Sequence, residues 1–145
     1  MRVDLYQLSH DPAEWVVPLI ARATLAAGER LLVVSADEGA LPKIDAALWE
    51  RLPEAFLAHG MAGEAHAARQ PVLLADACVA ENGARYIALA DGLWREEAFG
   101  FQRAFLLFDA SRLQGARECW RMLGTRDGVE RRFWKQEDGK WREGP

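Results

Sequence analysis

The chain has 145 residues, of which 50% are hydrophobic and 28% are charged, and its formal net charge at pH 7 is −4. This length and composition predict one domain, over residues 1–145, that buries its core without disulfides or structural metals. The negative charge opposes nucleic-acid binding by the whole surface, and no apolar run reaches the roughly 20 residues of a membrane span. The N-terminus also lacks the apolar stretch of a signal peptide, so we expect a cytoplasmic protein that contacts no membrane.

The N-terminal segment begins with a strand and a helix. Residues 2–8 alternate in polarity and predict the first strand. Asp11 is suited to cap a helix and Pro12 to occupy its first turn. This helix should run to about Ala27, and Pro18 inside it should kink or split it.

The next segments indicate a parallel sheet. Residues 30–35 include a continuous apolar run, which is typical of a strand buried on both faces. A helix is predicted over about residues 38–51, and residues 56–70 are predicted to be a loop. The order strand–helix–strand implies parallel strands joined by a right-handed crossover.

The second half of the chain continues with short elements. We predict strands at residues 71–74, 86–90, 103–108 and 129–136, a helical turn at 96–101, a helix capped by Ser111 that reaches Leu123 and is ended by Gly124, and a polar turn at 137–140. The whole pattern predicts a three-layer α/β domain, with a mostly parallel central sheet, helices on both faces and a Rossmann-like topology.

A sheet of this kind invites a nucleotide-binding interpretation, but the sequence lacks the motifs for it. The turn after the first strand, residues 9–12, has no glycine that would let a pyrophosphate approach the backbone. Neither a phosphate-binding loop nor a GxSxG nucleophile motif occurs. We therefore expect no nucleotide site and no cofactor.

Candidate metal or catalytic residues are few. His59, Glu64 and His66 match no helical ligand spacing, and the alternative is that His59 forms a hydrogen bond within its glycine-rich loop. Cys78 and Cys119 have no CxxC spacing and no histidine nearby in sequence. We predict no metal site and no catalytic residue.

Charge reverses near the C-terminus. Residues 112–145 contain nine basic and six acidic residues, net +3, whereas residues 1–111 sum to −7. Such a basic end predicts an acidic partner. Nucleic acid is one candidate, although the interleaved Glu118, Asp127 and Glu130 oppose a phosphate backbone.

Within this basic end, the predicted helix carries a mixed face. Leu113, Arg117, Trp120 and Arg121 share one side of it, together with Gly124. Arginine forks suit carboxylates, and a tryptophan offers an apolar wall to a partner side chain. The alternative is a solvated face with Trp120 packed into the core.

A second constellation is Trp49 and Phe56, which flank Pro53 at the end of the second helix. Large aromatic residues at such a position are suited to anchor an interface. The alternative is ordinary core packing.

Several motifs together resemble the chi subunit family of bacterial DNA polymerase III. They are Ile-Asp-Ala-Ala-Leu-Trp at residues 44–49, Pro-Glu-Ala-Phe-Leu-Ala-His-Gly-Met-Ala-Gly-Glu at 53–64 and Gln-Pro-Val at 70–72. The order of the other features agrees over nearly the whole chain. The resemblance implies an α/β fold without a nucleotide and a non-catalytic accessory protein of the clamp-loader assembly.

The resemblance also implies two partners. One is single-stranded DNA-binding protein, whose acidic C-terminal tail ends in phenylalanine and would link this protein indirectly to single-stranded DNA. Arg117, Trp120 and Arg121 match the tail-binding pattern, while Leu113 stands where relatives have a lysine, with Arg112 as the possible substitute.

The second implied partner is the psi subunit, which would dock on the opposite side at Trp49 and Phe56. Two rival functions stay open at this point. One is an α/β enzyme that uses His59 and Glu64 at the carboxyl ends of the strands. The other is direct nucleic-acid binding by the basic end.

Overall fold

The computed structural model describes residues 1–144. The strands are β1 (Arg2–Gln7), β2 (Leu31–Val34), β3 (His59–Met61), β4 (Val72–Ala75), β5 (Tyr86–Leu89), β6 (Arg103–Phe108), β7 (Glu130–Glu137) and β8 (Lys140–Glu143). The helices are α1 (Ala13–Ala26), α2 (Ala40–Glu50) and α3 (Leu113–Gly124), with short 3-10 segments at Ala67–Arg69, Glu96–Gly100 and Ala110–Arg112.

All eight strands join one sheet in the order β3-β4-β2-β5-β6-β1-β7-β8. Neighbouring strands pair in parallel, except that β8 pairs with β7 in the antiparallel direction. Helices α1 and α2 pack on one face of the sheet and α3 packs on the other. The predicted three-layer α/β architecture is therefore confirmed.

Strand β2 shows why the sheet is covered on both faces. Its four residues, Leu-Leu-Val-Val, are all fully buried. Leu31 and Val33 belong to the core under α1 and α2, whereas Leu32 and Val34 belong to the core under α3. Because side chains alternate along a strand, a continuous apolar run supplies both cores at once.

The predicted helix starts were wrong in detail. Pro12, not Asp11, occupies the capping position of α1, and the Asp11 carboxylate instead accepts a hydrogen bond from Gln136 Nε2 at 2.7 Å. Ser111 does not cap α3, because a 3-10 turn precedes that helix and the Asp109 carboxylate accepts from the Ser111 backbone N–H. In both cases a tertiary or 3-10 contact replaces the expected cap.

Pro18 does not split α1. The helix runs without interruption from Ala13 to Ala26, and Pro18 is buried within it. A proline costs one helical hydrogen bond, and burial of its ring offsets that loss.

Two strands were missed by the sequence analysis. Strand β3 lies inside the predicted loop at 56–70 and pairs with β4. Strand β8 follows the predicted polar turn, in which Asp138 and Gly139 both have positive φ, 50° and 73°. Two positive φ angles are the geometry of a type I′ hairpin, so the turn returns the chain along β7.

No helix within residues 1–144 has the length and apolar character that crossing a membrane requires.

Candidate functional site

Helix α3 turns its apolar side to the sheet and a basic side to solvent. Ala116, Cys119 and Leu123 are buried, whereas Arg117 and Arg121 are exposed. Neither arginine forms an ion pair with any carboxylate in the described residues. Two free guanidinium groups therefore lie next to each other on one flank of this helix.

Trp120 lies between that flank and the sheet. It is half-buried, and its ring meets Phe133 of β7 edge to face, with centroids 5.8 Å apart. The alternative in which Trp120 is packed against the core is thus partly correct. Its position still fixes which side of α3 faces β7, and Arg117 and Arg121 lie at the solvent edge of that side.

Arg131 completes this group, although the sequence analysis did not select it. Its guanidinium stacks 4.0 Å above the Trp120 ring and donates a hydrogen bond to the Trp120 carbonyl oxygen. Like Arg117 and Arg121, Arg131 has no carboxylate partner in residues 1–144. We call Arg117, Trp120, Arg121 and Arg131 the α3 site.

Gly124 makes room for Arg131. A Cβ atom at position 124 would lie 2.8 Å from the Arg131 Cζ atom. Gly124 was expected to end α3, and it is the last residue of that helix, although it is not among the glycines with positive φ. The structure therefore supports a packing role for this glycine.

The rest of β7 and β8 adds positive charge beside the α3 site. Lys135 shares the face of Phe133, because side chains alternate along the strand. Arg142 of β8 lies opposite Lys135 in the register and is 3.5 Å from Glu137. These side chains extend the basic surface from α3 towards the hairpin.

Arg112 and Leu113 do not join the α3 site. Leu113 is half-buried against the core. The Arg112 side chain packs over Gly92, with its Cγ 3.1 Å from the position a Cβ would take there, and lines a cleft at the edge of the sheet. Of the basic residues proposed beside Trp120, the structure thus brings Arg117 and Arg121 together and leaves Arg112 apart.

The cleft has a volume of about 500 Å³ and lies at the carboxyl ends of the parallel strands. Its acidic lining residues are Asp11, Glu14, Asp37, Asp91 and Asp109. His10 and Arg112 are the only basic residues among those that line it. This is the location where α/β folds bind nucleotides, but five carboxylates oppose a phosphate.

Asp91 shows how one of these carboxylates is held. Burial alone would raise its pKa, but hydrogen bonds from Arg95 and from the backbone N–H groups of Ala36 and Leu93 outweigh burial and lower that pKa. The Arg95 Nη2 to Asp91 Oδ2 distance is 2.7 Å. Asp91 is therefore ionised and already paired at neutral pH.

A different surface is formed at the end of α2. Trp49 is 55% exposed and Phe56 is 79% exposed, with their ring centroids 6.1 Å apart. The alternative of ordinary core packing is therefore wrong for this pair. We call Trp49 and Phe56 the Trp49 surface.

His59 supports this surface from below. Its ring lies 4.7 Å from the Trp49 ring, and its two nitrogens contact the Leu57 carbonyl oxygen and Asp45 Oδ1, each at 2.8 Å. The interpretation that His59 forms hydrogen bonds around its loop is confirmed. With both nitrogens engaged and the side chain buried, His59 is placed to hold Trp49, not to act on a substrate.

The other candidate catalytic groups are no better placed. Glu64 accepts a hydrogen bond from the Met61 backbone N–H. In the described residues, no three His, Cys, Asp or Glu side chains come close enough to hold a metal ion. Burial raises the pKa of Cys119 to about 12 and also raises that of Cys78, which disfavours the reactive thiolate in both.

Comparison with known families gives one decisive result. The family model described as DNA polymerase III chi subunit, HolC, matches residues 1–130. The chain belongs to this family. Members of the chi family are accessory, non-catalytic subunits of DNA polymerase III, so this protein has a replication accessory role and is not itself an enzyme.

The family match covers most of both surfaces. It includes α2, the Trp49 surface and all of α3, and it ends at the first residue of β7. Arg131 and strand β8 lie beyond it. A search of curated proteins found no match to the chain.

Proposed function

We propose that this chi-family protein links the clamp-loader complex of DNA polymerase III to single-stranded DNA-binding protein. In this proposal the α3 site binds the acidic C-terminal tail of that protein, and contact with single-stranded DNA is indirect. The observation that carries it is the α3 site, where the exposed Arg117 and Arg121 have no ion pair in the described residues and a third such arginine, Arg131, stacks on the half-buried Trp120. Because chromosome replication takes place in the bacterial cytoplasm, the proposal also implies a cytoplasmic location.

The chemistry of the α3 site supports an acidic peptide. Exposed guanidinium groups form charge-assisted hydrogen bonds with carboxylates, often through two parallel N–H groups. The half-buried Trp120 supplies apolar surface for an aromatic side chain of the ligand. A contact of this kind combines charge attraction with the burial of one ring, so we expect modest affinity that falls as salt is added.

The Trp49 surface is proposed as the contact with the psi subunit or an equivalent clamp-loader component. Trp49 and Phe56 are large, exposed aromatic residues, the type that anchors protein interfaces. Helix α2 packs on the sheet face opposite to α3. Both partners could therefore bind at the same time.

A charge reversal tests the tail assignment. We expect Arg121→Glu to weaken binding of an acidic, phenylalanine-ended peptide by more than tenfold, because it puts a like charge beside the ligand carboxylates. Isothermal titration calorimetry measures the affinity, and thermal unfolding checks that the domain remains folded. The matched control is Arg22→Glu, since Arg22 is exposed on α1, on the opposite face of the sheet. Equal affinities of the two variants would contradict the proposal.

A gel shift with naked single-stranded DNA distinguishes direct nucleic-acid binding from binding to the protein tail. We expect the protein alone to leave the DNA unshifted and to associate with it only when single-stranded DNA-binding protein is present. A strong shift by the protein alone would favour the rival function.

A further inference from the structure

A groove on the α1 side of the sheet belongs to neither of the two surfaces. It has a volume of about 200 Å³ and is lined by residues of α1, of strands β1, β5 and β6, and by Trp141 of β8. Helix α2 packs on α1, β3 and β4, and none of its residues lines this groove. Trp141 lies beyond the residues that the family model matches. We call this feature the α1 groove.

The floor of the α1 groove is a row of aromatic rings. Tyr86 of β5, Phe105 of β6 and Tyr6 of β1 lie on neighbouring strands, and the centroids of successive rings are 6.3 Å apart. The Trp141 ring meets Tyr6 edge to face at 5.0 Å. Burial raises the pKa of Tyr6 to about 12, so its phenol adds no negative charge at neutral pH. A floor of this kind suits a flat ring in a ligand.

Small residues of α1 keep the groove open. Ala23 and Ala27 line it, and both are exposed. Because their side chains end at Cβ, the helix does not fill the space above the rings. An apolar cavity of roughly 150 Å³ holds one benzene molecule. A groove of about 200 Å³ with exposed walls therefore has room for one aromatic ring or two fused rings.

Arg103 is the one charged residue that lines the α1 groove within residues 1–144. Its guanidinium lies 4.7 Å from the centroid of the Phe105 ring, and its Nε donates a hydrogen bond to Asp4 Oδ2 at 3.1 Å. Neither Nη group of Arg103 has a hydrogen-bond acceptor in the described residues. The guanidinium is thus fixed by its Nε while the donors at its other end are free.

Asp4 does not neutralise Arg103 by itself. The Asp4 carboxylate is fully buried and also accepts hydrogen bonds from Arg2 Nη2 at 2.9 Å and from Trp134 Nε1 at 3.0 Å. Two guanidinium groups share this one carboxylate, so the three charged groups together retain one positive charge. A cationic fork beside an aromatic groove favours a ligand that joins an anionic group to a flat apolar body.

We propose that the α1 groove binds small aromatic carboxylates. The ring of the ligand lies against Tyr6 and Phe105, and its carboxylate accepts hydrogen bonds from the free Nη groups of Arg103. The size of the groove favours a small molecule over a protein, since a specific protein interface buries more than about 1,000 Å². No residue of the groove belongs to the α3 site or to the Trp49 surface, so this inference is independent of the proposed function.

The test compares 2-naphthoate with its uncharged amide, 2-naphthamide. NMR titration follows the indole N–H of Trp141 and the backbone N–H groups of Tyr6 and Ala23. For the unmodified protein we expect saturable shifts with 2-naphthoate and an affinity for the amide that is lower by more than about tenfold, the usual effect of losing hydrogen bonds to a charged group.

Arg103→Gln should lower the ratio of the two affinities to less than about threefold, because the guanidinium that distinguishes the probes is gone. Arg132→Gln is the matched control. Arg132 lies opposite Asp4 in the register of β1 and β7, but it pairs with Glu130 and does not line the groove. The ratio should therefore be unchanged in this control.

Three further variants separate binding from folding. Ala23→Trp fills the groove and should abolish binding of both probes. Ala26→Trp, at an exposed position of the same helix that does not line the groove, should leave both affinities unchanged. Arg103→Lys should keep a reduced ratio, because it retains the charge without the fork. Partial unfolding lowers both affinities together and leaves their ratio intact.

Several results would overturn the proposal. They are the absence of saturable binding, equal affinities of the two probes for the unmodified protein, an unchanged ratio in Arg103→Gln, and binding that survives Ala23→Trp. Sedimentation tests the other occupant, a second copy of the chain. A dimer of the unmodified protein that Ala23→Trp dissociates would show that protein, not a small molecule, covers the groove. None of these results would change the assignment of the α3 site.

Discussion

The α3 site and the Trp49 surface occupy opposite faces of one sheet and differ in almost every physical respect. The α3 site is built from three arginines without ion pairs around a half-buried tryptophan. The Trp49 surface is built from two exposed aromatic rings that are supported by a buried histidine. One surface is suited to a short charged ligand, and the other to the apolar side of a folded partner.

The largest expected effect is the loss of the apolar partner. The double variant Trp49→Ala, Phe56→Ala removes both exposed rings, and such anchors cost about 2 kcal/mol or more each when truncated. We expect capture of psi or an equivalent clamp-loader component in a pull-down to be abolished. Affinity for the acidic peptide should stay within a factor of two, since α3 lies on the other face. A large change in peptide affinity would mean that the two surfaces are coupled.

The second-largest expected effect is a difference between the two surfaces in how their binding affinities depend on salt. Exposed charges are screened as the Debye length shortens from about 10 Å at 0.1 M to about 3 Å at 1 M ionic strength. Peptide affinity at the α3 site should therefore fall several-fold between 0.1 and 0.5 M salt, whereas binding at the Trp49 surface should change little. Calorimetric titrations at matched ionic strengths measure the affinity of each surface for its partner. If the two affinities fell equally with salt, the α3 site would not be the more electrostatic of the two surfaces.

The smallest expected effect concerns a single methyl group. Gly124→Ala puts a Cβ 2.8 Å from Arg131 Cζ, so the guanidinium must move from its present position over Trp120. We expect peptide affinity to fall several-fold. Gly115→Ala is the control, because a Cβ at Gly115 meets nothing within 4 Å. This control should stabilise α3 by roughly 0.5–1 kcal/mol and leave peptide affinity unchanged. Titration and thermal unfolding report the two quantities, and equal affinities of the two variants would show that Arg131 need not rest on Trp120.

The features that could be predicted from the sequence are those that depend on the local pattern of side chains. The apolar run of β2 identified a strand that is buried on both faces, and helical phase placed Arg117, Trp120 and Arg121 on one flank of α3. Trp49 was expected to be either an interface anchor or a core residue, and it proved to be exposed. These properties follow from side-chain periodicity and from helix ends.

The features that the sequence analysis missed depend on contacts between residues that are far apart in the chain. Arg131 joins the α3 site only because β7 pairs beside β1, beneath α3, and no spacing between residues 120 and 131 reveals that. Arg112 lies in the first turn of the predicted helix but packs over Gly92, which follows β5. Strands β3 (His-Gly-Met) and β8 (Lys-Trp-Arg-Glu) carry no continuous apolar run, and pairing with β4 and β7 defines them.

The separation of α2 and α3 by the sheet has a kinetic consequence for the proposed linker. A rigid layer between two binding surfaces keeps their ligands from competing and holds them a fixed distance apart. In the proposed function, with the polymerase assembly on one face, the other face meets a local concentration of tails set by the DNA-bound protein nearby, not by bulk solution. A tail contact of modest affinity is then enough to keep the assembly on its template, and it releases quickly when the template is copied.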